Sequence, residues 1–264
     1  MHANFLDPFQ SRPSLVHSLD ARVKVILVVA FILTSALTPT GAWPIYVMLV
    51  AIIFSAEIVS ELGLAFYMKR ALLAIPFVLA ALPVLFTIPG PALLNLPFGL
   101  ELTLPGLERF ISVALKSWIS IQAAVLLAST TPFPDILVAL RALRLPRLLV
   151  AIIGLMWRYL FVMVDETLRL LRARSARSAT AANPALRPGG KLTWRARVAG
   201  GMAGSLFLRS LERSDRIYNA MLARGYDGEI HSLPVPAAPP SAWAALALGL
   251  LVLAFIVAIG RIIY

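Results

Sequence analysis

The chain has 264 residues, of which 59% are hydrophobic and 14% charged, with a mean hydropathy of +0.84. This balance is typical of a helical protein that crosses a membrane several times, and it excludes an ordinary soluble domain of this size. Because the sequence contains no cysteine, disulfides, thiolate metal sites and cysteine nucleophiles are excluded as well.

The net charge of +11 raises the question of a nucleic-acid partner, but the basic residues are not interleaved with aromatic side chains as in a nucleic-acid groove. Sixteen of the 24 Lys and Arg residues lie between Arg141 and Arg224. Cytoplasmic segments of membrane proteins carry such an excess of positive charge, which also attracts anionic lipid headgroups. We therefore expect a cytoplasmic face beside a lipid bilayer, and no nucleic acid.

Five apolar stretches approach the roughly 20 residues that a helix needs to cross a bilayer core. They are residues 23–37, 43–59, 71–88, 107–130 and 243–259. Asp20 is the predicted N-cap of the first. The basic residues near the first and third stretches place the N-terminus in the cytoplasm. Residues 89–105, which are rich in proline, predict an external loop that lies against the bilayer.

Two of these stretches carry features that bear on function. Pro76 and Pro83 predict kinks in the third span, because proline lacks the N–H that an unbroken helix requires. Glu57 and Glu61 lie at helical spacing near the inner end of the second span. We interpret these two carboxylates as solvated at the membrane interface, although a path for cations is the alternative reading.

Residues 148–163 are apolar enough to form a further span, but basic clusters flank them on both sides, at 141–147 and at 169–177. A full crossing would place one cluster on the outside, against the positive-inside rule. We therefore predict a long helix that is partly sunk in the membrane and emerges on the cytoplasmic face. Five spans are expected, with six as the alternative.

Two long helices are predicted in the basic region, over residues 148–178 and 193–224. The first would reach roughly 45 Å at 1.5 Å per residue. Gly200 and Gly204 have the small-xxx-small spacing that lets helices approach closely, which predicts a crossing there. Chance in an alanine-rich stretch accounts for the same spacing equally well.

Each long helix ends in an arginine between small residues. The second reads Ala223-Arg224-Gly225, and Gly225 is the residue type that most readily adopts the left-handed conformation at a helix end. The first reads Ala173-Arg174-Ser175. Charged helix ends on a membrane protein without visible catalytic residues indicate contact with soluble partners and transmission of force.

Four segments in order carry a resemblance to a known family. They are His17 to Lys24 (HSLDARVK), Leu143 to Arg147 (LRLPR), Arg158 to Val162 (RYLFV) with Asp165-Glu166, and Ala220 to Gly228 (AMLARGYDG). The chain resembles, over nearly its whole length, the transmembrane T component of energy-coupling factor (ECF) transporters, in the cobalt and nickel branch often called CbiQ.

The resemblance implies two cytoplasmic ATPase subunits of the ABC type and a separate membrane subunit that captures the substrate. It also implies that Arg174 and Arg224, with their neighbours Ala173, Ser175, Ala223 and Gly225, dock in grooves of the two ATPases. Ser175 stands where the family favours glycine, so the first tip matches the family pattern less closely than the second.

No metal, cofactor or catalytic site is expected in this chain. His2, His17 and His231 are far apart in the sequence and lack ligand spacing, whereas a transition-metal site needs several converging donors. The sequence contains no histidine-paired nucleophile and no phosphate-binding glycine-rich loop. The resemblance implies that ATP is bound by the partner subunits and that the metal is bound by the capture subunit.

The sequence thus predicts an all-α polytopic membrane protein with about five transmembrane helices and two long cytoplasmic coupling helices. Its parts are a four-span domain (1–131), a coupling domain (132–231) and a final transmembrane helix (232–264). The expected function is a non-catalytic transducer, in the inner (plasma) membrane, of an ABC-type importer for cobalt or nickel. A T component for a vitamin, a membrane enzyme and a membrane adaptor without ATPases are the alternatives.

Overall fold

The computed structural model describes residues 8–96, 100–177, 191–228 and 238–263. The described residues are predominantly helical. The helices are α1 (Leu15–Ser18), α2 (Ala21–Leu37), α3 (Trp43–Val59), α4 (Leu64–Ala71), α5 (Ile75–Ala80), α6 (Val84–Thr87), α7 (Leu104–Thr130), α8 (Phe133–Ala142), α9 (Arg147–Arg177), α10 (Leu192–Leu222) and α11 (Pro240–Ile263).

Each of the five predicted spans coincides with a helix or a run of helices, which confirms the all-α polytopic class. Four helical stretches are long and apolar enough to cross a membrane: Leu64–Thr87, Leu104–Thr130, Arg147–Arg177 and Pro240–Ile263. Trp43–Val59 is a shorter apolar helix. The Asp20 side chain caps α2 by accepting a 2.8 Å hydrogen bond from the Arg22 N–H, as predicted.

The third span is broken at the prolines, as the sequence indicated. After α4, residues Leu72–Ala74 form a 3₁₀ turn, and α5 then begins with Pro76 in its first turn. Pro83 is the N-cap of α6. The helical stretch begins earlier than predicted, at Leu64, because Lys69 and Arg70 do not end it. Arg70 instead places its guanidinium carbon 3.9 Å from the centre of the Phe66 ring.

The segment predicted as a loop contains a two-stranded antiparallel ribbon, formed by β1 (Ala92–Leu96) and β2 (Leu100–Thr103). The Thr103 hydroxyl then caps α7 by accepting from the Gly106 N–H. Gly106 is required for packing here, because a Cβ atom would lie 2.7 Å from the carbonyl oxygen of Leu85 on α6.

The described residues divide into two compact units. The membrane unit comprises residues 8–143 and 238–263, and the coupling unit comprises 144–177 and 191–228. In the membrane unit, α2 packs on α7, α8 and α11, and α7 also packs on α3, α4, α5 and α6. The three-part division predicted from the sequence stays a prediction. Leu49, Tyr46 and Ile119 are among the fully buried side chains of the core.

Candidate functional site

The coupling unit is built from the two long helices. Glu166 on α9 and Arg209 on α10 form an ion pair with 2.8 Å between Oε1 and Nη1. A cavity of about 400 Å³ lies between the same helices. On α9 the cavity is lined by Ile152, Leu155, Met156, Tyr159 and Met163. The other lining residues follow Arg209 in the sequence, on α10 and the turn after it: Ser210, Arg213, Ser214, Ile217, Tyr218, Met221 and Tyr226.

These contacts show that α9 and α10 run in opposite directions. The cavity residues precede Glu166 on α9 but follow Arg209 on α10. Arg174 lies eight residues beyond Glu166, or about 12 Å along its helix, and Arg224 lies about 22 Å beyond Arg209 in the opposite direction. The two predicted tips are therefore at opposite ends of the helix pair, on the order of 30 Å apart.

The second tip ends its helix as predicted. Gly225 has a φ of +81°, in the left-handed region, and its N–H donates to the carbonyl oxygen of Leu222 at 3.0 Å. The Tyr226 N–H donates to the Met221 carbonyl, also at 3.0 Å. This pair of bonds is the Schellman motif, which satisfies carbonyl groups at a helix end. Arg224 is exposed on the resulting turn.

The first tip has a different geometry. Ala173, Arg174 and Ser175 lie inside α9, whose described end is Arg177. The Ser175 hydroxyl donates to the carbonyl oxygen of Arg172 at 2.8 Å, one turn back along the helix. Arg174 is half-buried, whereas Ala173 and Ser175 are exposed. Serine therefore continues the helix where Gly225 stops it, and the residues that follow Arg177 lie outside the described ranges.

The glycine pair lies away from the described contacts between the long helices. A Cβ atom built on Gly200 or Gly204 would meet no heavy atom within 4 Å. The ion pair at Arg209 and the cavity beyond it lie further along α10. A helix crossing at Gly200 and Gly204 stays a prediction.

The sequence did not indicate a set of hydrogen bonds around Lys24 in the membrane unit, here called the Lys24 clamp. The buried side chain of Lys24 on α2 donates from Nζ to the carbonyl oxygens of His17 and Thr130, each at 3.1 Å. The Gln10 N–H donates to the Ser129 carbonyl at 3.0 Å. The segment from His17 to Lys24 thus ties the N-terminal residues to the end of α7. The signal that could have indicated it is a lysine in the first turn of an apolar helix.

The interpretation of Glu57 as a solvated carboxylate is wrong. Its side chain is 0% exposed, whereas Glu61 is exposed on the turn after α3. Helical spacing placed both residues near one end of the span, but the helix ends at Val59 and Glu61 has a φ of +60°. The two carboxylates therefore have different environments.

The structure also places part of the predicted histidine set. His17 bonds through Nδ1 to the Ser14 hydroxyl at 2.6 Å and through Nε2 to the Gln10 carbonyl at 2.9 Å. His2 and His231 lie outside the described residues. Within the described ranges, no three His, Cys, Asp or Glu side chains are grouped so that they could hold a metal ion.

Comparison with known proteins gives the family. The family model described as the cobalt transport protein CbiQ matches residues 12–234. The cobalt transport protein CbiQ of Rhodobacter capsulatus is 29% identical over 186 residues, which are 69% of this chain and 72% of that protein.

Two further relatives have other names. The energy-coupling factor transporter transmembrane protein EcfT of Listeria innocua is 26% identical and covers 81% of this chain and 82% of its own length. A putative fused cobalt transport protein, CbiMQ, of Methanocorpusculum labreanum is 26% identical over 90% of this chain, which spans 40% of that longer protein.

The matched range contains the four resembling segments, the clamp at Lys24 and both helix tips. Together with the membrane-length helices, it confirms the expected resemblance. The chain is a multi-pass membrane component of a transport system and belongs to the CbiQ family of cobalt transport proteins.

Proposed function

We propose that this chain is the transducer subunit of an ECF-type importer. It couples ATP hydrolysis in two partner ABC-type ATPases to the uptake of cobalt, or nickel, through a separate capture subunit in the membrane. The observation that carries the proposal is the position of Arg174 and Arg224 at opposite ends of the antiparallel pair of α9 and α10. Two tips separated on the order of 30 Å suit two separate partners better than one.

The chemistry of the tips supports docking. A guanidinium carries five N–H donors in a fixed plane, so it binds a carboxylate or backbone carbonyls of a partner with defined geometry. Ala173 and Ala223 are small and exposed, and Arg224 is exposed beside Ala223, which suits insertion of this tip into a groove. Ser175 and Gly225 set the direction of the chain after each arginine.

The coupling unit supports the transmission of motion. The contacts between α9 and α10 include the ion pair of Glu166 and Arg209, and beside it lies a cavity lined by flexible Met side chains and by Tyr and Ile. None of the described residues of either helix is buried. Such a pair changes its angle at lower cost than a close-packed core, because few contacts must be broken.

The remaining parts of the proposal follow from the membrane unit and the family. The chain lies in the plasma membrane with its N-terminus in the cytoplasm, and the two long helices emerge on the cytoplasmic face, because the basic residues concentrate in the coupling unit. It binds no cofactor and catalyses no reaction, and ATP is held by the partner subunits. The fused CbiMQ relative supports a second component, because this chain covers only 40% of a protein whose name describes it as fused.

Charge reversal at the tips tests the proposal in the complex co-expressed with its ATPase and capture subunits. We expect Arg224→Glu and Arg174→Glu each to release ATPase subunits in a pull-down, and the double variant to abolish metal uptake. Arg216→Glu is the matched control, since Arg216 is exposed on α10, about two turns before Arg224. Full retention of ATPases and uptake in the double variant would refute docking at the tips.

A second measurement separates the alternative functions. ATPase activity that depends on this chain, and uptake of radioactive cobalt or nickel, support the proposal over a membrane enzyme or an adaptor. Uptake of a vitamin with no metal uptake would make the chain a T component for a vitamin.

A further inference from the structure

Glu57 is an ionisable side chain with no compensating group among the described residues. It lies on α3, its side chain is 0% exposed, and neither Oε1 nor Oε2 has a hydrogen-bond partner among the described residues. A bare carboxylate in a region without water is strongly disfavoured unless it is paired or neutralised. The structure therefore requires a ligand for this group or a change in its charge.

The neighbouring hydroxyl groups do not supply the missing donor. Ser60 donates to the backbone carbonyl of Glu57 at 2.6 Å, and so its oxygen is free to accept from the Tyr67 hydroxyl at 2.7 Å. Ser129, which lies 3.4 Å from the Tyr67 oxygen, donates to the Leu126 carbonyl at 3.2 Å. In this network all three hydroxyl hydrogens are used, and none points to the Glu57 carboxyl group.

The charged and titratable groups on the elements packed near α3 are engaged elsewhere or exposed. On α1, His17 bonds to Ser14 and Gln10, and on α2 the Lys24 ammonium bonds to two carbonyl groups. On α4, Arg70 lies over Phe66, Lys69 is exposed, and Tyr67 is bonded to Ser60. On α7, Lys116 donates to the Ala36 carbonyl near the other end of the bundle, where Glu108 and Arg109 also lie.

A metal ion fits the surroundings of Glu57 poorly. Hard cations take six or more oxygen ligands at about 2.0–2.6 Å, and softer metals prefer nitrogen or sulfur donors. Among the described residues no further His, Asp or Glu side chain joins Glu57 in a group able to hold a metal. The ligand that a single enclosed carboxylate can take without other partners is a proton.

We propose that Glu57 is an intramembrane proton-binding site and is held as the neutral carboxylic acid at neutral pH. One carboxylate oxygen takes a proton from a hydronium ion of the solvent, which leaves as water, before the packing of α3 on α4 and α7 closes, and the charge is thereby removed. Opening this packing exposes the acid to water and lets it ionise. Glu57 thus binds the proton when the second and third spans, which contain α3 and α4, are packed together.

Infrared spectroscopy of the full-length chain in lipid nanodiscs at neutral pH tests the proposal. The wild type should show a protonated-carboxyl C=O band above the amide region, which moves to lower frequency when the glutamate carboxyl groups carry ¹³C. We expect the band to be lost in Glu57→Gln and retained in Glu61→Gln, in which an exposed carboxylate is removed instead. Glutamine mimics the neutral acid, so Glu57→Gln should also melt close to the wild type.

A wild-type spectrum with no ¹³C-sensitive protonated band would overturn the proposal. If Glu57→Gln lost only an ionised carboxylate band and kept the protonated band, the proposal would be overturned as well. Absence of the band in the labelled wild type refutes the proposal without any substitution, so poor folding of Glu57→Gln would not prevent that refutation. Loss of the band in Glu61→Gln would assign it to Glu61 and would overturn the proposal as well.

Discussion

Oε1 of Glu166 accepts a hydrogen bond of 2.8 Å from Nη1 of Arg209, and this ion pair joins the two helices that carry the tips. The Arg209 side chain is 59% exposed and that of Glu166 is 17% exposed. Such a pair contributes about 1 kcal/mol or less to stability. Its main effect is therefore to fix which residues of α9 and α10 face each other.

Charge exchange should show this effect. We expect Glu166→Arg and Arg209→Glu each to lower the uptake rate, with a loss of about 1 kcal/mol or less in stability, because like charges then face each other. The double exchange should restore most of the uptake. Metal uptake and thermal melting of the wild type, the two single variants and the double variant give the coupling energy between the two side chains. Glu212→Arg, one turn from Arg209, is the control. Additive losses in the double variant would show that the pair has no coupling role.

Gly225 should be sensitive to substitution at the second tip. Its φ of +81° is unfavourable for a residue with a Cβ, so Gly225→Ala should cost about 1 to 2 kcal/mol at this helix end and reduce ATPase binding. Gly225→Asn should retain more binding, since asparagine tolerates this conformation better. Pull-down of the ATPases measures both. Gly201→Ala is the control, because a Cβ there meets nothing within 4 Å. Equal binding by Gly225→Ala and the wild type would contradict the role of the turn.

Gly106 should be required for the stability of the membrane unit. A Cβ at this position would lie 2.7 Å from the Leu85 carbonyl oxygen and 2.8 Å from the Thr103 hydroxyl that caps α7. Since backbone must shift to admit it, Gly106→Ala should destabilise the protein by about 1 to 3 kcal/mol. Thermal melting in detergent checks this. Gly204→Ala, which meets no atom within 4 Å, should melt close to the wild type, and destabilisation there would favour the predicted crossing.

Replacing Lys24 should release the N-terminal segment from α7. Lys24→Met keeps the apolar stem but leaves the carbonyls of His17 and Thr130 without their donor, which should cost about 1 to 3 kcal/mol. Hydrogen exchange should rise first in residues 8–20 and near Thr130. Lys69→Met, at an exposed lysine, is the matched control. Unchanged exchange in Lys24→Met would show that the clamp does not hold this segment.

The sequence predicted the features that depend on local chemistry. Hydrophobic length identified the spans, Pro76 and Pro83 identified the breaks in the third, and Gly225 identified the end of α10, because each acts through its own backbone. Asp20 was predicted as a cap for the same reason.

Features that depend on contacts distant in the sequence were not predictable in this way. The ion-pair partner of Glu166 is Arg209 on the next helix, 43 residues away in the sequence, and the spacing of charges within α9 does not indicate it. The burial of Glu57 depends on how α3 packs with α4 and α7, which periodicity does not show. The crossing at Gly200 and Gly204 depends on such a distant contact too, and it stays a prediction.

Site-specific cross-linking in the assembled complex tests the central claim most directly. The natural chain has no cysteine, so a cysteine placed at Ala173 or Ala223 is unique and can carry a photo-reactive probe. Each probe should cross-link an ATPase subunit, and a chain labelled at both positions should form a product with two ATPases attached. Cross-linking of both positions to one ATPase molecule, or of neither to any ATPase, would contradict the account of two separate docking tips.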